Sequence, residues 1–543
     1  MKKLFLNGQN LSIENVVLAA RGYDKDDDHL YPKIELSSEI SDLLKEFRKA
    51  LEDRMAAGDI IYGVNTGCGI KKATIIPDEE IVAYQRHYIP AHCVAIGNYL
   101  PEEVTRAAML LRLNSFTFGN SGVRLELCEK IIEFYNAGII PCVPEKGSVG
   151  SSGDLALLAH VAAALTGIPD QEVYYRGEIR PILEVLKETG ITAIELAAKE
   201  AMAITNGSTF TLALALLAYY DAIVVIKTAD IAAALSLEAV RGEAAAFDVR
   251  IHAVRKHNGS INCAANMRKL FKGSKRMTNK ARDICLNAER KLKKYDKHGQ
   301  PLPRVQDAYS FRAHAQVMGS VYEALDFCGN VFLREVNAAT DNPLIFAEED
   351  GFTTISGGNF HGEPLAQAAD FLKIALQQLA NISERRLYAL TMASTSYGLP
   401  DDLMGLSNPD LNTGLMIMQY SAASLVSENK ILCHPSVIDS IPTSANQEDY
   451  VSMGTTAARF LKEVVKNVQY IVAMELIGAA QGIHWTIPEL GQCAQLGEGT
   501  ALAYDFVRKF VDPMDDDRYI RTDIEKIVKI IEDGSLSDYV YSA

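Results

Sequence analysis

Apolar residues recur along this chain mainly at helical spacing. The segment 363–390, EPLAQAADFLKIALQQLANISERRLYAL, places them at helical intervals with no breaker after Pro364, which predicts one long helix. The segment 457–483, AARFLKEVVKNVQYIVAMELIGAAQGI, reads the same way and is nearly apolar in its second half. Such a helix needs cover on most sides, as in a large bundle. PEEVTRAAMLLRLNSFTFG opens with Pro101 and two glutamates, favoured first-turn residues, and stops at Gly119. Alternating strand patterns are few and short, FTTIS (352–356) being the clearest. The expected class is mainly α: a large bundle of long helices with an N-terminal mixed region. The expected segmentation is 1–200 for that region, 201–485 for the bundle and 486–543 for a helical tail.

The stretch AMAITNGSTFTLALALLAYY (201–220) is long enough to span a bilayer. It contains Asn206, Gly207 and several hydroxyls, and Asp221 and Lys227 follow, so a buried core helix is the expectation. The N-terminus carries two lysines but only a short apolar run, so no signal peptide is expected.

Composition narrows the partners. A net charge of −15 argues against nucleic acid or an anionic membrane. Residues 255–304 run the other way, with fifteen Lys or Arg against three Asp or Glu. Only Phe271 and Tyr295 are available there for base stacking, so the stretch reads as a solvated, partly helical surface excursion. The nine cysteines are scattered with no Cys-x-x-Cys pair, which fits reduced thiols in a cytoplasmic protein. No metal is expected: no His/Asp/Glu group has ligand spacing, and residues 14–29 lack the glycine and glutamate of a calcium loop.

The chemistry concentrates in GSVGSSGDLALLAH, residues 147–160, where glycines and serines run straight into an apolar helix. Glycines ahead of a helix can cradle a phosphate, but no Gly-Lys-Ser/Thr follows. A tight turn with Asp154 or a serine as helix cap is the structural alternative. The chemical alternative is self-cyclisation. The Gly153 nitrogen attacks the Ser151 carbonyl carbon with loss of water, and loss of the Ser152 hydroxyl as a second water leaves a methylidene group. Glycine is required at the attacking position because a Cβ would block the bent approach.

This segment resembles the self-cyclising loop of the aromatic amino-acid ammonia-lyases and 2,3-aminomutases. That family usually reads Ala-Ser-Gly, so Ser151 is a departure, and Leu157 replaces a common proline. YGVNTGCG (62–69), KEAMAITNGST (199–209), VQDAYSFRAHAQVMG (305–319), NAATDNPL (337–344), SGGNFHGEP (356–364) and SIPTSANQEDYVSMG (440–454) resemble further family motifs in the family order. The resemblance implies an all-α fold and a homotetramer whose sites draw residues from three chains. It implies a 4-methylidene-imidazol-5-one group (MIO) formed from Ser151, Ser152 and Gly153, with no dissociable cofactor.

It further implies Tyr62 as the base that removes a β-proton. A free tyrosine has a pKa of about 10, so holding it ionised at pH 7 costs about 4 kcal/mol, which helix N-termini can offset. Asn206, Tyr309 and Gln306 are implied around the ring and the amine, Arg312 on the substrate carboxylate and Phe360 beside the substrate. Ala91-His92 falls where the family contacts the substrate's own ring. Glu448 stands where phenylalanine and tyrosine enzymes have glutamine, and a carboxylate favours a ring that donates N–H. Met416 also resembles the histidine enzymes. The expected reaction is elimination of ammonia from L-histidine to give trans-urocanate. A 2,3-aminomutase remains open, given Ser151, Thr209 and the His314-Ala315 pair, as does an uncyclised helical scaffold. Glu448 as a helix N-terminal residue and His92 as a satisfied core histidine are the structural alternatives.

Overall fold

The computed structural model describes residues 3–22, 31–151, 153–288, 297, 304–405 and 411–542. Long helices dominate, and the chain groups into two units. The first holds residues 1–220, 328–370 and 435–459, and the second holds 221–327, 371–434 and 460–543.

The helices that matter below are α1 (Ile81–His92), α2 (Glu102–Phe116), α3 (Leu155–Leu165), α4 (Glu200–Thr205), α5 (Thr209–Ala239), α6 (His314–Val336), α7 (Glu363–Leu390), α8 (Met416–Leu432) and α9 (Gly454–Leu490). Helix α2 begins after Pro101 and buries every residue from Val104 to Phe116. Helix α7 runs unbroken over the predicted span, and α9 overruns its predicted span at both ends. The apolar stretch 201–220 differs from expectation. It is two helices, because Asn206 takes an extended conformation and Gly207 has φ +145°. Helix α5 is apolar and long enough to cross a membrane, yet 78% of its apolar window is buried inside the protein, as in a core helix.

Strands are short. In the first unit, Lys3–Leu6 pairs in parallel with Lys33–Leu36. Ile140–Pro141, Glu172–Tyr175 and Glu178–Pro181 form an antiparallel sheet. Leu344–Glu348 and Gly351–Ile355 form a hairpin in which Leu344 faces Ile355, so the predicted FTTIS strand is present.

The second unit buries polar groups that the linear spacing conceals. Glu475 accepts from Arg386 through both oxygens and from Ser236 (2.7 Å) and Ser383 (2.6 Å). Asp230 accepts from His314 Nε2 (2.9 Å), Cys263 (3.3 Å), Tyr322 (2.8 Å) and Asn266 (3.4 Å). Tertiary folding thus gathers an Asp/Cys/His group, with each member already bonded to the carboxylate. The basic stretch is not uniformly solvated. Arg276 is fully buried and donates to the Glu238 carbonyl and to Thr486, while residues 289–296 and 298–303 lie outside the described residues. The nine cysteines are free thiols.

Candidate active site

The first unit contains a cavity of about 960 Å³. Tyr62, His92, Asn206, Phe360 and Glu448 line it, so five predicted residues from distant segments converge. Cys68, Tyr84, Tyr88, Leu155, Met202 and Asn342 complete much of the wall.

The turn 147–154 is held from both sides. Upstream, the Val149 carbonyl accepts from the Met453 N–H (2.9 Å), and the Gly150 carbonyl accepts from the Gly362 N–H (3.0 Å) and the Ser452 hydroxyl (2.9 Å). Downstream, Asp154 is fully buried. Its Oδ1 accepts from Ser148 (2.6 Å), Thr211 (3.0 Å) and Thr455 (2.7 Å), and its Oδ2 accepts from the Thr211 N–H (2.8 Å). Burial pushes this carboxyl's pKa up while those donors pull it down. Asp154 therefore does not cap α3 with its side chain; it ties the turn to α5 and α9. Gly153 has φ +77° and bridges Gly207, and a Cβ on it would lie 2.0 Å from the Gly207 nitrogen. Only glycine fits there. Ser151 is 3% exposed and its hydroxyl makes no hydrogen bond among the described residues. Ser152 lies outside the described residues.

Asn206, beside this turn, is fixed by groups that sequence reasoning missed. Its Nδ2 donates to Asp341 Oδ1 (3.0 Å) and to the Asn342 carbonyl (3.3 Å). Buried Lys199 donates to Asp341 (3.1 Å) and to the Asn342 carbonyl (2.9 Å). Burial lowers the Lys199 pKa against the pull of Asp341. Arg112, also buried and lowered to about 10 by desolvation, donates to the carbonyls of Asn206 (2.6 Å) and Thr340 (3.2 Å). A buried charge needs such pairing. The signal available in sequence was charged residues inside apolar helical runs, Arg112 in α2 and Lys199 before α4.

The Tyr62 hydroxyl accepts from the Gly69 N–H (3.0 Å). Burial raises its pKa, Cys68 and Glu448 add to that, and the Gly69 N–H works against it. Glu448 pairs with Thr443 through the backbone and accepts from its hydroxyl at 3.3 Å. Helix α9 begins only at Gly454, so Glu448 is not a helix N-terminal residue. It follows a turn in which Ser444, Ala445 and Asn446 all have positive φ, between 49° and 65°. Three successive L-residues in that region store strain, a mark of binding loops. The His92 ring is half-buried, and desolvation lowers its pKa.

The remaining predicted residues fall in the second unit and do not line the cavity. Gln306 is exposed, and Tyr309 is 72% exposed at the start of the helical turn Tyr309–Arg312. Arg312 stacks over the Tyr309 ring at 4.5 Å and donates Nε to the Asp307 carbonyl (2.9 Å). Tyr309 and Arg312 share a separate pocket of about 590 Å³ with Arg255 and Arg385. Met416 opens α8 and is half-buried.

Fold and sequence together define a carbon–nitrogen lyase. More narrowly, the chain belongs to the aromatic amino acid lyase family, whose family model matches residues 11–509. It is 42% identical over 543 residues to a histidine ammonia-lyase of Alkaliphilus oremlandii, covering 100% of this chain and 99% of that relative. Its fold is similar to the crystal structure of histidine ammonia-lyase from Trypanosoma cruzi, with TM-score 0.85 and 35% identity, covering 99% and 95% of the two chains. It is also similar to the crystal structure of a tyrosine aminomutase from Streptomyces globisporus, with TM-score 0.88 and 32% identity, covering 99% and 98%.

Proposed function

We propose that this chain eliminates ammonia from L-histidine, giving trans-urocanate. The observation that carries the reading is the convergence of Tyr62, His92, Asn206 and Glu448 on one cavity beside the clamped Ser-Gly turn. The relatives named histidine ammonia-lyase support it.

The residues at 151–153 fit a self-formed MIO. Gly153 occupies a place no Cβ can enter, and the buried Ser151 hydroxyl has no hydrogen-bond partner among the described residues. Such a group, held at Ser151 and Gly153, would supply an electrophile to the substrate. The clamps on Val149, Gly150 and Asp154 hold the turn still, which lowers the entropic barrier to ring closure. Tyr62 takes the β-proton. The Gly69 N–H stabilises its phenolate, and further positive potential must offset the burial that raises its pKa. Asn206 faces the amine with its oxygen, since its nitrogen is committed to Asp341 and Asn342. Glu448 and His92 accept N–H groups of the substrate imidazole, and Phe360 packs beside it.

Gln306, Tyr309, Arg312 and Met416 enter from other protomers of a homotetramer. Arg312 pairs with the substrate carboxylate through its planar fork. The protein is cytoplasmic in this reading. A 2,3-aminomutase is the second reading, favoured by the fold likeness to the tyrosine aminomutase and by Ser151.

Incubation of the purified protein with L-histidine, L-tyrosine and L-phenylalanine in parallel, with product analysis and intact mass, tests both. Urocanate and ammonia from histidine, with a subunit lighter by two waters, are expected. β-Histidine means a mutase. An unmodified mass and no product means a scaffold.

A further inference from the structure

Tyr84, Tyr88 and His92 stand at i, i+4 and i+8 on one face of α1, and all three line the cavity. The Tyr88 and His92 rings are stacked, with centroids 3.9 Å apart and planes at 16°. The Tyr84 ring lies 6.0 Å from that of Tyr88, and its hydroxyl reaches Cys68 Sγ at 3.5 Å. Tyr88 is itself held in place: its side chain is buried. His92 Nδ1 lies 2.6 Å from the Tyr88 carbonyl oxygen. A carbonyl can only accept, so Nδ1 carries the hydrogen. In the neutral ring, Nε2 is then an acceptor.

We propose that Tyr88 is a positioning residue for substrate selection, holding His92 as the Nδ1–H tautomer so that Nε2 accepts an N–H from the substrate ring. This rests on the reading of the cavity as the histidine site, and it adds the residue that sets the donor–acceptor sense of that site. One helical turn of Tyr88 supplies both constraints: the ring fixes the imidazole plane and the carbonyl fixes the tautomer. The titratable groups sharing the cavity with His92 are Glu448, Tyr62, Cys68, Lys71, Lys72, Tyr84, His87 and Tyr88. Burial lowers the His92 pKa, while the Tyr88 carbonyl and Glu448 pull it up. The balance favours the neutral acceptor at pH 7.

Two readouts test this. Deuterium exchange at imidazole C2, followed peptide by peptide by mass spectrometry, gives the His92 pKa whether or not the protein turns over histidine. The parent is expected to titrate below the ordinary value of about 6.5. Tyr88→Leu is expected to move it up toward that value, and Tyr88→Phe, which keeps the stack, to leave it low. In kinetics, Tyr88→Leu raises KM for histidine about fivefold with kcat changed less, in keeping with the size of a ring-pair interaction. Tyr88→Phe restores KM. A parent His92 that titrates at or above the ordinary value overturns the proposal. So does a folded Tyr88→Leu protein with unchanged His92 pKa and KM. A parent that makes no urocanate sinks the function instead and leaves the exchange result to be read by itself.

Discussion

Asn206 and Tyr309 are assigned to the same chemistry, the surroundings of the ring and the amine, yet the chain treats them in opposite ways. Asn206 is 4% exposed, and its backbone carbonyl and side-chain nitrogen are engaged by Arg112, Asp341 and Asn342. Tyr309 is 72% exposed, beside an exposed Gln306 and against an arginine whose Nε is held only by a local carbonyl. The first unit fixes the groups around Asn206 internally and places Glu448, His92 and Tyr62 on the wall of a cavity. The second presents an aromatic and a cation on its surface. A large exposed aromatic costs solvation that a partner recovers. The proposed sharing of the site between copies of one chain predicts such a contrast: folding would finish one half and assembly the other.

The sharpest break falls on the buried side. Gly153→Ala puts a methyl 2.0 Å from the Gly207 nitrogen at a position with φ +77°. The left-handed conformation alone costs an L-residue about 1–2 kcal/mol, and the clash adds to it. Activity on histidine should fall by more than about 1,000-fold, because positioning of reacting groups is lost along with the electrophile. The intact mass should be that of the unmodified chain. A variant that keeps parental turnover and mass removes the clamped turn from the mechanism.

The exposed side is probed by mixing. Tyr62→Phe damages the cavity and Arg312→Ala the second unit, and each alone should retain about 1% of activity or less, as loss of a general base or charge clamp gives. If a site takes Tyr62 from one protomer and Arg312 from another, random assortment at equal amounts rebuilds about a quarter of the sites in a symmetric oligomer. Co-expression, purification of the mixed species and an assay for urocanate measure the recovery. No recovery above the single variants refutes the shared site.

The sequence made the repetitive parts legible and the convergent parts only in outline. Residues 363–390 were readable as one helix because their apolar spacing is unbroken. The stretch 201–220 looked like one core helix because its composition is apolar, but Asn206-Gly207 interrupts it. Asp154 has the spacing of a helix cap. Its contacts with Thr211 and Thr455, 57 and 301 residues away, exist only after folding. Lys199 and Asp341, 142 residues apart, were invisible for the same reason. The Tyr84–Tyr88–His92 face was present as an i+4 pattern. Such a stripe is ordinarily core, and only the cavity in front of it shows otherwise.

The smallest effect concerns the group that selects the substrate. Glu448 accepts from the Thr443 hydroxyl at 3.3 Å and lines the cavity with His92. Glu448→Gln keeps the shape and an oxygen acceptor but removes the charge. A hydrogen bond to a charged partner contributes about 1–2 kcal/mol more than a neutral one, so kcat/KM for histidine should fall about tenfold. Turnover of phenylalanine, whose ring donates no N–H, should hold or rise, since desolvating a carboxylate against an apolar ring is costly. The profile should also change on its acid side. His92 is held neutral by burial against the pull of Glu448, so removing that charge lowers the pH at which His92 gains a proton. The acid limb set by His92 therefore moves to lower pH in the variant, not higher. Steady-state kinetics from pH 5 to 9 on both substrates read the selectivity and the limb together. Undiminished histidine turnover with an unmoved acid limb takes Glu448 out of the site.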